Sequence, residues 1–121
     1  MLPFRWEGVE QEKLSAEVTR QVLWGQRGTL ARFHFARGTH VSRHAHPSEQ
    51  FTCMVEGAMR IRVGREETVL RAGEILVVPP DAEHEVWVLE EAVVLDFFAP
   101  PRDDWKQGRH QYLAGGSAGT C

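Results

Sequence analysis

With 121 residues, 42% of them hydrophobic and 26% charged, the chain has the length of one domain and enough apolar side chains for a core without disulfides. Its net charge of −3 and scattered arginines (Arg60, Arg62, Arg65, Arg71) argue against nucleic acid as the main partner. No apolar run is long enough to cross a bilayer, and residues 1–7 carry no apolar leader, so no membrane partner is expected and the expected location is the cytoplasm.

Residues 1–13 are mostly polar and aperiodic, and an N-terminal arm is expected over 1–16. A barrel is expected over 17–105, then a flexible tail over 106–121, which contains Gly115-Gly116-Ser117-Ala118-Gly119-Thr120. The first strands, 18–24 and 29–36, flank Gly25-Gln26-Arg27-Gly28, a hairpin-length connection. In the second strand Ala31, Phe33 and Phe35 alternate with Leu30, Arg32 and His34, which makes one face apolar and the other mixed. A strand over 50–56 is expected to end at Gly57. Met59, Ile61 and Val63 then alternate with Arg60 and Arg62, the pattern of a half-buried antiparallel strand. Gly64-Arg65-Glu66-Glu67 turns the chain into 68–71. Residues 75–78 form a continuous apolar run, the pattern of a strand buried on both faces. Strands over 84–89 and 92–98 follow, joined across Glu90-Glu91. No long segment has helical periodicity, and short strands between frequent turn signals predict an all-β sandwich or barrel. Cys53, inside a strand, is expected to be a small buried thiol, and Cys121 ends the tail; a disulfide between them is not expected in a reducing compartment.

The residues that carry chemistry are concentrated in His44-Ala45-His46-Pro47-Ser48-Glu49-Gln50 and in His84. Imidazoles with an amide or carboxylate are donors for a divalent transition metal. If His44 and His46 share a strand, both point to one face, and Glu49 or Gln50 approaches from the next stretch. Pro79-Pro80-Asp81-Ala82-Glu83 is turn-rich and can bring His84 across. His34 is read as a hydrogen-bonded structural histidine, His40 as a loop residue and His110 as part of the tail. Further on, Asp96 and Phe98 stand two apart and so share a strand face.

Gly38-x5-His44-x-His46-x3-Gln50-x6-Gly57 resembles the first signature motif of the cupin superfamily, G-x5-H-x-H-x3,4-E-x6-G. Gly73-x5-Pro79-x-Asp81-x2-His84 resembles the second, G-x5-P-x-G-x2-H-x3-N. Gln50 stands at the glutamate position of the first motif, Asp81 replaces the glycine of the second, and Val88 occupies its final asparagine position. Aspartate tolerates left-handed backbone better than most residues, so the turn at Asp81 can survive. The resemblance implies a single cupin domain, a double-stranded β-helix (jelly-roll) barrel, with one divalent transition metal (Zn, Mn, Fe, Ni or Cu) inside. Carried over by position, the ligands are His44, His46, Gln50 and His84, with Glu49 a neighbour. It also implies a homodimer, in which N-terminal arms can exchange between subunits.

Asp96-Phe97-Phe98-Ala99-Pro100-Pro101-Arg102-Asp103-Asp104-Trp105 is similar to the D-x-F-x-P-P-R-x-D-[FW] ending of one small-cupin group. That group includes the cupin that promotes ring opening and ketonisation of unsaturated uronates in pectin and alginate breakdown. The likeness assigns Asp96, Phe98 and Arg102 to an active site: a proton carrier, a wall and a clamp for a carboxylated small-molecule substrate. The competing roles are a core position for Phe98, a solvated or capping carboxylate for Asp96, and a surface ion pair of Arg102 with Asp103 or Asp104. The function expected is metal-dependent proton transfer or tautomerisation. Its rivals are a metal-dependent dioxygenase and a non-catalytic ligand-binding or sensing module; the chain has no evident helix-turn-helix.

Overall fold

Two long strands carry the architecture, and the shorter ones attach to their flanks. In the computed structural model, which describes residues 1–107, the strands are β1 (Glu12–Lys13), β2 (Val18–Trp24), β3 (Thr29–Phe35), β4 (His40–His44), β5 (Glu49–Val63), β6 (Glu66–Arg71), β7 (Ile75–Val78) and β8 (His84–Ala99). One 3-10 turn, Trp6–Gly8, precedes them and a short helix, α1 (Asp103–Lys106), follows. His110, Cys121 and nearly all of the expected tail lie outside the described residues.

All pairings are antiparallel. β5 and β8 pair from Glu49↔Ala99 to Val63↔His84, with register shifts between Met54 and Met59. On one side of the shifts, β5 takes β7 and β8 takes β3, continuing through β2 to β1. On the other, β5 takes β6 and β8 takes β4. The result is an all-β jelly roll of two layers that share β5 and β8. Inward residues of both layers, among them Val18, Phe33, Phe35, Met54, Ile61, Val86, Val94 and Phe98, form the core.

Several boundaries differ from the sequence reading. Segments 50–56 and 59–63 are one strand, as are 84–89 and 92–98. Gly57 bends β5 instead of ending it: its φ is +87°, and a Cβ there would run into the Glu91 carbonyl and lie 2.8 Å from Ala92 Cα. His40 opens β4, a polar strand without apolar alternation, and its imidazole bonds Glu85. β7 is buried on one face only: Val78 is fully buried, whereas Ile75 and Val77 face outward, 63% and 45% exposed. Cys53 is half-buried, not enclosed. His34 bonds Glu91, as a structural histidine would.

The turn before β8 follows the sequence reading more closely. Asp81 adopts φ 64°, the left-handed conformation its position requires. Its amide donates to the His46 carbonyl at 2.9 Å, tying the two histidine-bearing loops together.

Gly57→Ala combines a left-handed backbone penalty with a backbone clash, and is expected to cost about 3 kcal/mol in urea unfolding. Gly64→Ala, at φ +58° with open space around it, is expected to cost only about 1 kcal/mol. Equal losses would contradict the role given to Gly57.

Candidate metal centre

His44 is the last residue of β4 and His84 the first of β8, and the two are Cα partners in the ladder. Their ring centroids are 4.1 Å apart. His46 does not share the strand with His44: it lies in the turn beyond, and that turn carries its ring to 4.9 Å from His84 and 5.8 Å from His44. One ligating nitrogen from each of the three falls within 4.8 Å of the others, so the three could hold one metal ion.

The backbone fixes how these rings face. His44 Nδ1 donates to the Ser42 carbonyl at 2.7 Å, His46 Nδ1 to Ser48 at 2.9 Å and His84 Nδ1 to Ala82 at 2.9 Å. With the proton on Nδ1, each neutral ring keeps an Nε2 lone pair. Burial, with the neighbouring His84, His46 and Arg102 adding to it, lowers His44 to about 2. Burial also lowers His84, to about 4, and, with Arg102, lowers His46. Uncharged imidazoles at neutral pH are the metal-binding form.

Gln50 brings an amide oxygen beside the three imidazoles. Its Oε1 lies 2.9 Å from His46 Nε2, while its amide nitrogen donates to Thr52 Oγ1 at 2.8 Å. In this arrangement two acceptors face each other, which a cation beside both would stabilise. Adjacent ligands of a six-coordinate ion at bond lengths of about 2.1 Å stand about 3 Å apart, close to this spacing. His84 Nε2 is buried and has no hydrogen-bond partner among the described residues. The donor set therefore fits a divalent transition metal. Alternation places Glu49 on the opposite side of the strand from Gln50.

Register brings the downstream residues to the same place. Asp96 is the partner of Thr52, and Phe98 of Gln50, so both pairs point into the barrel. Asp96 is buried and its Oδ1 has no partner among the described residues. Burial pushes its carboxyl up to about 6, against hydrogen bonds from Thr52 and Gln50 and the charge of Arg102. Arg102 is only 2% exposed. Its amide donates to Thr29 Oγ1 at 2.9 Å, and its guanidinium grips Asp104 with two bonds of 2.9 and 2.7 Å. The ring faces of Phe98 and Trp105 lie 4.8 and 4.5 Å from its guanidinium carbon. Burial alone would raise Asp104, but the hydrogen bond and charge of Arg102 hold it below the usual carboxylate range. Asp104 is thus the ion-pair partner, and the pair is built into the barrel wall.

Most of these side chains line one interior cavity. His44, Gln50, Thr52, His84, Asp96 and Arg102 make its polar side; Phe33, Met59, Ile61, Val86 and Trp105 are on the apolar side. Phe98, read above as either wall or core, is both, since it lines the cavity and joins the core cluster. Sequence reading missed Thr52 and Trp105. Thr52 could have been found from its period-two spacing to Gln50; Trp105 had no such signal beyond the ending it closes.

The cupin domain family matches residues 31–98, more than half of the chain. The chain belongs to the cupin family. This cupin is similar to an RmlC-like cupin from Shewanella frigidimarina, with 29% identity, coverage of 82% of this chain and 90% of that one, and a TM-score of 0.77. It is also similar to KdgF from Halomonas, at 25% identity, 84% and 97% coverage and a TM-score of 0.79. Bacillus subtilis oxalate decarboxylase, whose Mn(II) centres have been characterised, shares the fold at 16% identity and a TM-score of 0.72, over 80% of this cupin and 29% of the larger chain. No curated protein matches the sequence.

After incubation with zinc or manganese and desalting, elemental analysis is expected to find about one ion per chain, falling at least tenfold in His46→Ala and His84→Ala. His34→Ala and His40→Ala should retain the metal. Retention in the first pair, or loss in the second, would place the metal elsewhere.

Proposed function

We propose that this cupin is a metal-dependent enzyme that moves a proton on a small carboxylated sugar derivative. The substrate class is an unsaturated uronate or a close analogue, and the outcome is ring opening or ketonisation. The observation that carries this reading is Asp96: a buried carboxyl with an unpartnered oxygen, in the same cavity as inward His44, Gln50 and His84. The likeness of residues 96–105 to the ending of uronate-ketonising cupins supports the substrate class.

His44, His46, Gln50 and His84 would hold the metal, which when bound supplies a Lewis acid toward a carbonyl or hydroxyl oxygen. Ketonisation takes one proton from an enol oxygen and delivers one to carbon, so no electrons and no co-reactant are needed. Asp96 takes the enol proton on its open oxygen and returns it. Thr52 and Gln50, which bond the carboxyl, hold it toward the cavity. Arg102, oriented by Asp104, puts a positive charge on the wall where a substrate carboxylate sits. Phe98 and Trp105, whose rings lie against the guanidinium, hold it in place and exclude water from that side.

Metal-loaded protein is expected to remove the absorbance of a 4,5-unsaturated uronate without consuming oxygen. Asp96→Asn should lower kcat on the order of 100-fold while the metal content stays unchanged. Arg102→Lys should mainly raise KM. Absence of turnover above background, or full activity in Asp96→Asn, would refute the assignment; oxygen uptake coupled to turnover would favour a dioxygenase.

A further inference from the structure

Arg20 and Arg102 lie against the same indole. The guanidinium carbon of Arg20 is 4.4 Å from the centre of the Trp105 ring, and that of Arg102 is 4.5 Å from it. Arg102 lines the interior cavity, whereas Arg20, with Glu12, Trp24 and Lys106, lines a surface pocket; Trp105 lines both. The indole is therefore the partition between the two arginines. Each arginine is 2% exposed, and each grips a carboxylate through Nε and Nη2. Arg102 holds Asp104 at 2.9 and 2.7 Å, and Arg20 holds Glu12 at 3.0 and 3.1 Å. Arg20 Nη1 is buried without a hydrogen-bond partner among the described residues. An unsatisfied buried donor costs stability, and an apolar side chain of the same length could pack on the indole without that cost. Packing alone therefore gives no reason for a guanidinium here. A cation over an indole does, because the attraction orients the ring as well as filling space.

We infer that Arg20 is a positioning residue for Arg102, acting through Trp105, with Glu12 of β1 holding Arg20 in place. The inference rests on the reading of Arg102 as the clamp for a substrate carboxylate; the contacts themselves do not. α1 has four residues, too few for a helix that stands alone, and Trp105 is its buried residue. Where the indole sits thus decides where the flanking Arg102 and Asp104 sit. The rings of Phe98 and Phe33 meet the indole at 5.1 and 6.0 Å between centroids, both near right angles. Arg20 reaches it from β2, where register sets Arg20 beside Phe33 on one side and Glu12 on the other. Because Glu12 neutralises Arg20 at close range, Arg20 acts by contact with the ring and not as a second charge for the substrate.

The Nε–H groups of Arg20 and Arg102 are hydrogen-bonded donors of buried side chains, so each should give a slowly exchanging NMR signal displaced by the indole ring. The Arg102 signal is the one lost in Arg102→Lys. In Arg20→Met it should move and exchange with water at least about tenfold faster, with metal content and circular dichroism unchanged. Arg20→Lys, which keeps a cation at the ring, should restore most of the protection. With a 4,5-unsaturated uronate, Arg20→Met should raise KM about fivefold and leave kcat within about twofold. Arg60→Met, which takes a guanidinium from Trp87 instead, should change neither the signal nor KM. If Arg20→Met does not fold, Glu12→Gln should displace the Arg102 signal in the same direction by less. An Arg102 signal that stays in place in the folded variants, equal effects of Arg20→Met and Arg20→Lys, or a wild-type KM in active Arg20→Met would overturn the inference. A wild-type protein without turnover would count against the reaction alone, since the Arg102 signal needs no substrate.

Discussion

The ladder between β5 and β8 is the constraint from which the rest of the molecule follows. It runs nearly the whole length of both strands and passes through a bend at Gly57, so the same two strands serve both layers. Because side chains alternate, this one register decides what faces inward along the ladder. It sets Gln50 against Phe98, Thr52 against Asp96 and Val63 against His84. A slip of one residue would turn the whole polar constellation outward and leave Glu49, Phe51 and Phe97 in the barrel. The bulge in β5 carries a second consequence. Outward parity before it belongs to Phe51, Cys53 and Val55, and after it to Arg60 and Arg62, so one strand gives the two layers opposite kinds of outer surface.

Around that frame the backbone itself selects the chemistry of the site. Three carbonyls each take an imidazole N–H, which leaves three neutral rings whose remaining nitrogens suit a cation better than a proton. Burial acts in the same direction, since it disfavours imidazolium. Arg102 is the charge that the barrel does tolerate, and it does so with Asp104 bound through two hydrogen bonds and aromatic rings on its flanks. Asp96 is the contrasting case: a carboxyl enclosed with one oxygen left without a partner, an arrangement that costs stability and is expected where chemistry needs the group.

Much of this was legible in the sequence, because it rests on local pattern. Alternation at Met59-Ile61-Val63 needed only neighbouring residues, and the set His44, His46, Gln50 and His84 was implied by the resemblance of two short motifs to the cupin signatures. What was misread depended on distant neighbours. A glycine that bends a strand looks the same as one that ends it; the difference at Gly57 is the backbone of Glu91 and Ala92 lying against it. The apolar run of β7 suggested burial on both faces, yet within one chain nothing among the described residues covers Ile75 and Val77. β4 escaped notice because its residues are polar and its strand character comes from pairing with β8. His46 reaches the other two histidines from a turn, not from a strand shared with His44 as alternation had suggested.

We propose that His44, His46, Gln50 and His84, all in one barrel interior, bind a single metal. The most direct measurement is an anomalous difference map from crystals of metal-loaded protein. One peak is expected, within bonding distance of the Nε2 atoms of His44, His46 and His84 and of Gln50 Oε1. A peak bound through any Nδ1, one that excludes Gln50 in favour of Glu49, or one outside the barrel would contradict it.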